Sequence, residues 1–377
     1  MHTDVLIYSF DILGHHLEYI HHLYGKFLRS GNECVFVIPE RFHRVKGKLP
    51  WPEAQNIRFD FIPETVEDRY NGAGTLGKRF QVTRILGRKI RQYRPKQVFC
   101  LYLSPVTSTM FLIPRKVSVS GIVYQIPLYR ESSSWLTRLR DRMEFSAYVH
   151  DDRFSRVYLL NDPDGADTLN RRCGTDKFAG LPDPYLPIPA EDDRDVRKEY
   201  GIPASRKLFV HLGAMTWGKG TMDILESLAS LPENEAAQYW FFFAGKIGAD
   251  IRTEFDAAIG RLRGKVDITV LDEFCEYAFF SALCRSCDAI VIPYRRTLQS
   301  SGIIGYASQF GKPVIAPGSG LLGKLVHKFS LGYILEEVTP ATLQAGYRAV
   351  AQGAVPAPTH AYCEENTIAA FADAVRL

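Results

Sequence analysis

Two doubly wound α/β domains are predicted by three features of this chain. Short β-type runs alternate with longer helical patterns from one end to the other, as parallel sheets flanked by helices require. The alternation pauses once, at a stretch with four prolines between Pro182 and Pro189, and then restarts. A length of 377 residues exceeds one ordinary hydrophobic core and suits two.

In the first half VLIYSF, CVFVI, IRFDFI, QVFCLYL, GIVYQI and RVYLL read as strands, apolar enough for burial on both faces. Helical spacing fills many of the gaps, notably 17–28, 75–94 and 136–148. The second half repeats the order with KLFVHL, QYWFFFAG, VDITVL, DAIVIP, KPVIA and LGYIL, and with helices over 221–231 and 251–262. The intervening FAGLPDPYLPIPAEDD loses backbone donors to proline and reads as a semi-rigid connector outside any sheet. The expected domains are therefore 1–185 and 186–377, with a terminal helix over 366–377 that suits either. Two such domains would face each other across a cleft at the carboxyl ends of their strands, where sheets of this kind bind ligands.

With 46% hydrophobic and 23% charged residues, the composition is that of a soluble globular protein. No apolar run approaches the roughly 18 residues of a spanning helix, and MHTDVLIYSFDILG lacks the parts of an export signal. Seven cysteines without a framework spacing suit a reducing, cytoplasmic setting. Cys284 and Cys287 form a lone CxxC on a predicted helix, where packing accounts for them better than zinc or redox chemistry. The net charge of +4 is unevenly spread. Residues 1–182 hold 27 Lys+Arg against 19 Asp+Glu, a surplus of 8, and the remainder holds 19 against 23. Residues 76–96 contribute much of that surplus: Leu76, Phe80, Thr83, Leu86 and Ile90 recur at roughly helical spacing among basic residues, with no acid. A solvated helix face accounts for this segment. The functional alternative is attraction to an anionic membrane surface, at the inner face of a membrane, or to an anionic acceptor; no nucleic-acid motif accompanies the charge.

Each half opens with a strand, a glycine-bearing turn and a helix. In VLIYSFDILGHHLEYIHHL, Gly14 allows a ligand close to the backbone, and His15 or His16 can carry a proton or meet an acceptor hydroxyl near neutrality. Four histidines here raise metal binding, but no carboxylate and cysteine set accompanies them, so no metal is expected. In LFVHLGAMTWGKGTMDILESL the turn begins at Gly213, and Lys219 and Gly220 enter the next helix, where a lysine can reach an anion. The spacing approaches GxxxxGK[ST], but Gly220 replaces the hydroxyl residue that would hold magnesium. The loop 272–276 offers backbone groups and Glu273 to a nucleobase, with Phe274 as an apolar wall or, equally, a core residue. DAIVIPYRRTLQSSGIIGYASQFGKPVIA reads as strand, polar loop, helix and strand. Arg295, Arg296, Gln299, Ser300, Ser301 and Gly302 occupy the handover to the helix. That is a natural seat for a phosphate, and Ser-Ser is also an ordinary N-cap.

The blocks Gly213…Lys219-Gly220, Asp288-Ala-Ile-Val-Ile-Pro-Tyr294, Gln299-Ser-Ser-Gly302 and Gly311-Lys-Pro-Val-Ile-Ala316 together resemble the C-terminal domain of GT-B glycosyltransferases of the large family 4 (group 1) type. About 130 residues, 205–335, carry the likeness; the first half matches in pattern, through its Gly14 turn. The resemblance implies transfer of a sugar from a nucleotide-sugar donor to a glycan or lipid-linked acceptor. It also implies retention of anomeric configuration and no required metal or other cofactor. The donor diphosphate would be held by Gly213, Lys219, Gly220, Ser300, Ser301, Gly302 and Arg295. The base and donor side would fall to Glu273, Phe274, Gln299 and Tyr306, and the acceptor side to Gly14, Arg130 and Glu131. Catalytic roles would fall to Lys219, His15 and His16. Three positions depart from the family pattern. Ala214 stands where an arginine is usual, and Leu298 and Tyr306 stand where two glutamates are usual. YQIPLYRE offers Arg130 and Glu131 in place of a histidine. A non-catalytic nucleotide-sugar-binding or scaffold protein is the alternative these departures favour; a GT-B epimerase would need carboxylates that the sequence does not supply.

Overall fold

The computed structural model describes residues 3–12, 15–125, 134–185 and 194–377. Gly14, Arg130 and Glu131, and the side chain of His15, lie outside the described residues. Contacts divide the chain into two compact units, Met1–Asp183 with Ile368–Leu377, and Pro184–Thr367.

The first unit is built on seven parallel strands: β1 (Val5–Tyr8), β2 (Cys34–Pro39), β3 (Ile57–Ile62), β4 (Gln97–Cys100), β5 (Ser118–Val123), β6 (Phe154–Leu160) and β7 (Phe178–Leu181). They lie in the order β3-β2-β1-β4-β5-β6-β7. Every residue of β1 and β2 is buried, as an apolar run in the middle of a parallel sheet must be. One face packs on the helix His15–Ser30, whose Tyr19, Ile20, Leu23 and Phe27 join Ile7, Phe36 and Phe99 in a common core.

β7 corrects the expected connector, which was read as starting at Phe178 and standing outside any sheet. Phe178–Leu181 pairs with β6 from Val157 to Leu160. As the sheet's last strand, β7 needs partners on one side only, so the prolines that begin at Pro182 end the strand without breaking a ladder. Gly180 leaves its inner face open to Pro163, the first residue of the helix Pro163–Cys173.

The terminal helix, Ile368–Ala374, belongs to the first unit although the chain has by then completed the second. Phe371 is fully buried and stacks on Tyr19 with ring centroids 5.2 Å apart. The Lys26 ammonium donates to the carbonyls of Ala372 and Val375.

The expected stripe of the basic segment is only half buried. In the helix Thr75–Tyr93, Thr83, Leu86 and Ile90 face the core, while Leu76 and Phe80 are exposed. Several of its cations are engaged: Lys89 pairs with Asp60 at 2.6 Å, and Arg79 donates to Ser108 at 3.2 Å.

The second unit carries six parallel strands: β8 (Lys207–Leu212), β9 (Tyr239–Ala244), β10 (Asp267–Leu271), β11 (Ala289–Val291), β12 (Val314–Pro317) and β13 (Gly332–Leu335). Their order is β10-β9-β8-β11-β12-β13, so the winding reverses between β8 and β11. In the first unit it reverses between β1 and β4 in the same way. Loops leaving the carboxyl ends of the strands at such a reversal splay apart and leave room for a ligand. Cys284 and Cys287 are buried behind this sheet, and burial pushes both thiols up, that of Cys287 to about 12. Thiols held protonated serve packing. No helix among the described residues is long and apolar enough to cross a membrane.

Candidate active site

Five loops knit the carboxyl edge of the second sheet. After β8 the chain turns at Gly213, forms a short 3-10 turn at Trp217–Lys219, and enters the helix Thr221–Ala229 through Gly220. Gly220 has φ 70°, and a Cβ there would overlap the Pro293 carbonyl oxygen. This position therefore takes glycine for two independent reasons, and the close approach locks the loop after β8 to the loop after β11. The Arg295 amide donates to Gly218 at 3.1 Å, a second tie between them. Asp272, after β10, accepts from the Ile247 amide at 2.9 Å and pairs with Arg252, so it staples the β9 and β10 loops. Leu321 donates to the Thr297 carbonyl at 2.8 Å, which fixes the β12 loop to the β11 loop.

Lys219 sits at the reversal point. Its ammonium lies 3.8 Å from the centroid of the Tyr294 ring, and no carboxylate pairs with it among the described residues. A cation seated on a buried aromatic face is held in place without being neutralised. Ser301, also buried, donates to the Tyr294 hydroxyl at 3.4 Å, so Tyr294 links the lysine to the Ser-Ser-Gly turn. Gly302 caps the helix Ile303–Gln309, and the amides of Ile304 and Gly305 donate to the Ser301 and Gly302 carbonyls at 3.1 Å. With only seven residues this helix carries little macrodipole, so the anion-binding charge at this turn rests on Lys219.

The other expected residues fall in four groups. Arg295 is committed elsewhere: its guanidinium makes a two-pronged ion pair with the buried Asp223 and stacks over Trp217, 4.6 Å from the ring centroid. Arg296 and Gln299 are exposed and Ser300 is half-buried on the same loop. Glu273 and Phe274 stand out from the β10 loop, and Phe274 is 72% exposed, which removes the alternative of a core role. Tyr306 is buried and packs on Phe280 and Tyr185, with ring centroids 4.8 and 6.1 Å away. A glutamate in its place would sit among aromatic rings; the tyrosine suits that setting.

Behind Lys219 stands His211, which is fully buried on β8. Nδ1 lies 2.8 Å from the Val291 carbonyl and Nε2 lies 3.0 Å from the Thr221 hydroxyl. The carbonyl can only accept, so Nδ1 carries the proton and Nε2 accepts from Thr221. Burial, followed by the charge of Lys219, pushes this imidazole down to about 4 against the opposing pull of the Val291 bond. The neutral ring thus ties β8, β11 and the first residue of the helix after Lys219 together. Neither His211 nor Asp223 nor the seat on Tyr294 stood out in the sequence. A polar His in the middle of KLFVHL was the available signal for the first.

In the first unit the described part of the edge holds Ser9, His16, Tyr102 and Tyr124. The Ser9 hydroxyl lies 3.3 Å from His16 Nδ1, and the His16 ring lies 5.5 Å from Tyr124. His15 begins the helix. Among the described residues, no group of three or more His, Cys, Asp or Glu is arranged to hold a metal ion.

Two parallel sheets wound in this order, one in each unit, define the GT-B class of fold. Solved structures agree over nearly the whole chain. A glycosyltransferase involved in lipopolysaccharide biosynthesis, WaaG, is 15% identical with a TM-score of 0.66, covering 98% of this chain and 95% of its own. HepE from Anabaena, solved with UDP and glucose, is 14% identical with a TM-score of 0.69, covering 99% and 98%. The α,α-trehalose 6-phosphate synthase of Burkholderia multivorans is 9% identical with a TM-score of 0.69, covering 99% and 97%. No protein-family model matches the sequence, and no curated protein matches it. The chain has the GT-B glycosyltransferase fold.

Proposed function

We propose that this protein is a glycosyltransferase that moves a sugar from a nucleotide-sugar donor to a glycan or lipid-linked acceptor, with retention and without a metal. The observation that carries the reading is the uncompensated Lys219 ammonium, seated on Tyr294 where the second sheet reverses. When the bond from the anomeric carbon to the diphosphate breaks, negative charge builds on the departing phosphate oxygen. A preorganised ammonium and the amides of 300–302 are what such a leaving group needs. Gly213 keeps the backbone open beside it, and Gly220 lets the loop close on the Pro293 carbonyl so that Lys219 is held in place. In this reading Arg296 supplements the charge and Arg295 shapes the loop through Asp223. Glu273, Phe274 and Gln299 border the base, while the first unit presents the acceptor near Gly14, His15 and His16, with Arg130 and Glu131. Retention requires the acceptor oxygen to bond to the anomeric carbon on the same face that the diphosphate leaves; the acceptor's proton then departs to the leaving phosphate oxygen or to His16. HepE was solved with UDP-glucose, which makes a uridine donor the first to try. The protein works in the cytoplasm, peripheral at the inner face of a membrane.

The test is release of nucleoside diphosphate from a panel of nucleotide sugars, with and without candidate acceptors. Lys219→Ala is expected to lower turnover about 100-fold or more. Turnover equal to the unsubstituted protein's would remove Lys219 from the mechanism. A second reading, a nucleotide-sugar-binding partner without catalysis, is favoured by Leu298 and by the packed Tyr306. Donor binding with no diphosphate released under any acceptor would select it.

A further inference from the structure

We propose that the helix Trp135–His150 is an interfacial helix that lays its outer face on an anionic lipid bilayer. An α-helix turns about 100° per residue, which places Trp135, Leu136, Leu139 and Met143 within one arc about 100° wide. All four are exposed, at 65, 59, 48 and 66%. The opposite side anchors the helix: Tyr148 is fully buried, and Phe145 stacks on Phe178 at 5.7 Å. A helix packed by one face normally turns polar groups outward. Here the outward face is apolar, and a contiguous exposed apolar patch calls for an occupant in a way that scattered residues do not.

Charge identifies the occupant. Arg138 and Arg142 flank the arc on one side and Arg140 on the other, by the same spacing. The helix's own acids are engaged: Asp141 pairs with Arg140 at 3.4 Å and Glu144 accepts from the Tyr148 hydroxyl at 2.9 Å. Among the described residues Arg138 and Arg142 have no carboxylate partner. Towards its C-terminus the same face opens into a cavity of about 930 Å³ lined by Arg115, Arg142, Met143 and His150. Arg153 and Asp151 line it too, but they satisfy each other, and Arg153 also donates to the Met110 and Ile113 carbonyls at 2.7 and 2.8 Å; Asp152 is the remaining acid on the wall. An apolar stripe edged by arginines and running into a basic basin matches an amphiphile whose acyl chains and phosphate sit side by side. At 16 residues the helix is about 24 Å long and lies along a bilayer instead of crossing it. The segment with the highest basic density is the weaker candidate, because Lys89, Arg79 and Arg91 of the helix Thr75–Tyr93 are bound to Asp60, Ser108 and Leu112.

The experiment is cosedimentation of the full chain with large unilamellar vesicles of phosphatidylcholine alone or with roughly 30 mol % phosphatidylglycerol. The protein is expected to pellet with the anionic vesicles, less with the neutral ones, and less as salt rises. The triple variant Trp135→Ser/Leu139→Gln/Met143→Gln and the double variant Arg138→Glu/Arg142→Glu should each lower the partition coefficient about tenfold or more. Both should keep the thermal midpoint and any donor turnover measured without vesicles, since every substituted side chain is exposed. A control, Arg84→Glu/Arg88→Glu, should change binding by less than about threefold. Four results overturn the proposal. These are no pelleting of the unsubstituted chain, variants that bind as it does, loss of binding in the control alone, or a dimer that the triple variant dissociates, which would assign the face to a second copy. Pelleting is read without any turnover, so a failed transferase assay leaves this test intact.

Discussion

His211 and His22 are both buried histidines, and they respond to acid for different reasons. Burial pushes each down to about 4. For His22 the nearby Glu18 opposes that shift and His21 adds to it, and neither ring nitrogen has a hydrogen-bond partner among the described residues. In the unfolded chain each imidazole takes a proton near pH 6.5, while in the fold it resists until about pH 4. The unfolded state therefore binds more protons between those values, and stability falls as pH drops through that window. The loss is roughly 3 kcal/mol per histidine once pH passes below both values. His22→Phe is expected to flatten the pH 4–6.5 slope of the first unit's denaturant stability at little cost near neutrality. His211→Phe is expected to cost about 1–3 kcal/mol at every pH, since it strands the Val291 carbonyl and the Thr221 hydroxyl. Urea melts at half-unit pH steps separate the two, and an unaltered slope in His22→Phe would sink the account. At this scale the position of Lys219 and Ser300–Gly302 at strand-to-helix handovers was legible, because strand, turn and helix signals bracket them. The Tyr294 seat was not, since a cation and a ring 75 positions apart leave no joint mark in a linear sequence.

Among elements, strands buried on both faces announce themselves as unbroken apolar runs, and those runs were readable. β7 was not, because half of FAGL is Ala and Gly and prolines follow directly. Its strand state comes from pairing with β6, a tertiary cause. The same contrast governs the turn into the helix Thr221–Ala229. Its glycine was visible, but the reason lies in the Pro293 carbonyl beside it. Gly220→Ala is expected to add about 1–2 kcal/mol of left-handed backbone strain and to force the two loops apart. Nucleotide affinity, measured by calorimetry, should then fall more than tenfold with only a modest drop in thermal midpoint. Unchanged affinity would mean that the loop after β8 does not shape the donor site.

The whole molecule is two units with separate cores, and the chain visits the first unit twice. The sequence left the terminal helix open between them because its apolar positions suit any core. What decides the matter is Phe371, fully buried against Tyr19, together with the Arg376 amide donating to the Tyr158 hydroxyl at 3.0 Å. The last residues therefore complete the core that the first residues begin. The four tryptophans make this testable, since Trp51 and Trp135 report the first unit and Trp217 and Trp240 the second. Phe371→Ala removes a fully buried ring and is expected to cost about 3–5 kcal/mol. In double Trp→Phe backgrounds that leave one pair at a time, the loss should appear in the Trp51/Trp135 transition. The Trp217/Trp240 transition should hold its midpoint. A shift confined to the second pair would reassign the helix, and a shift shared equally would mean the two cores unfold as one.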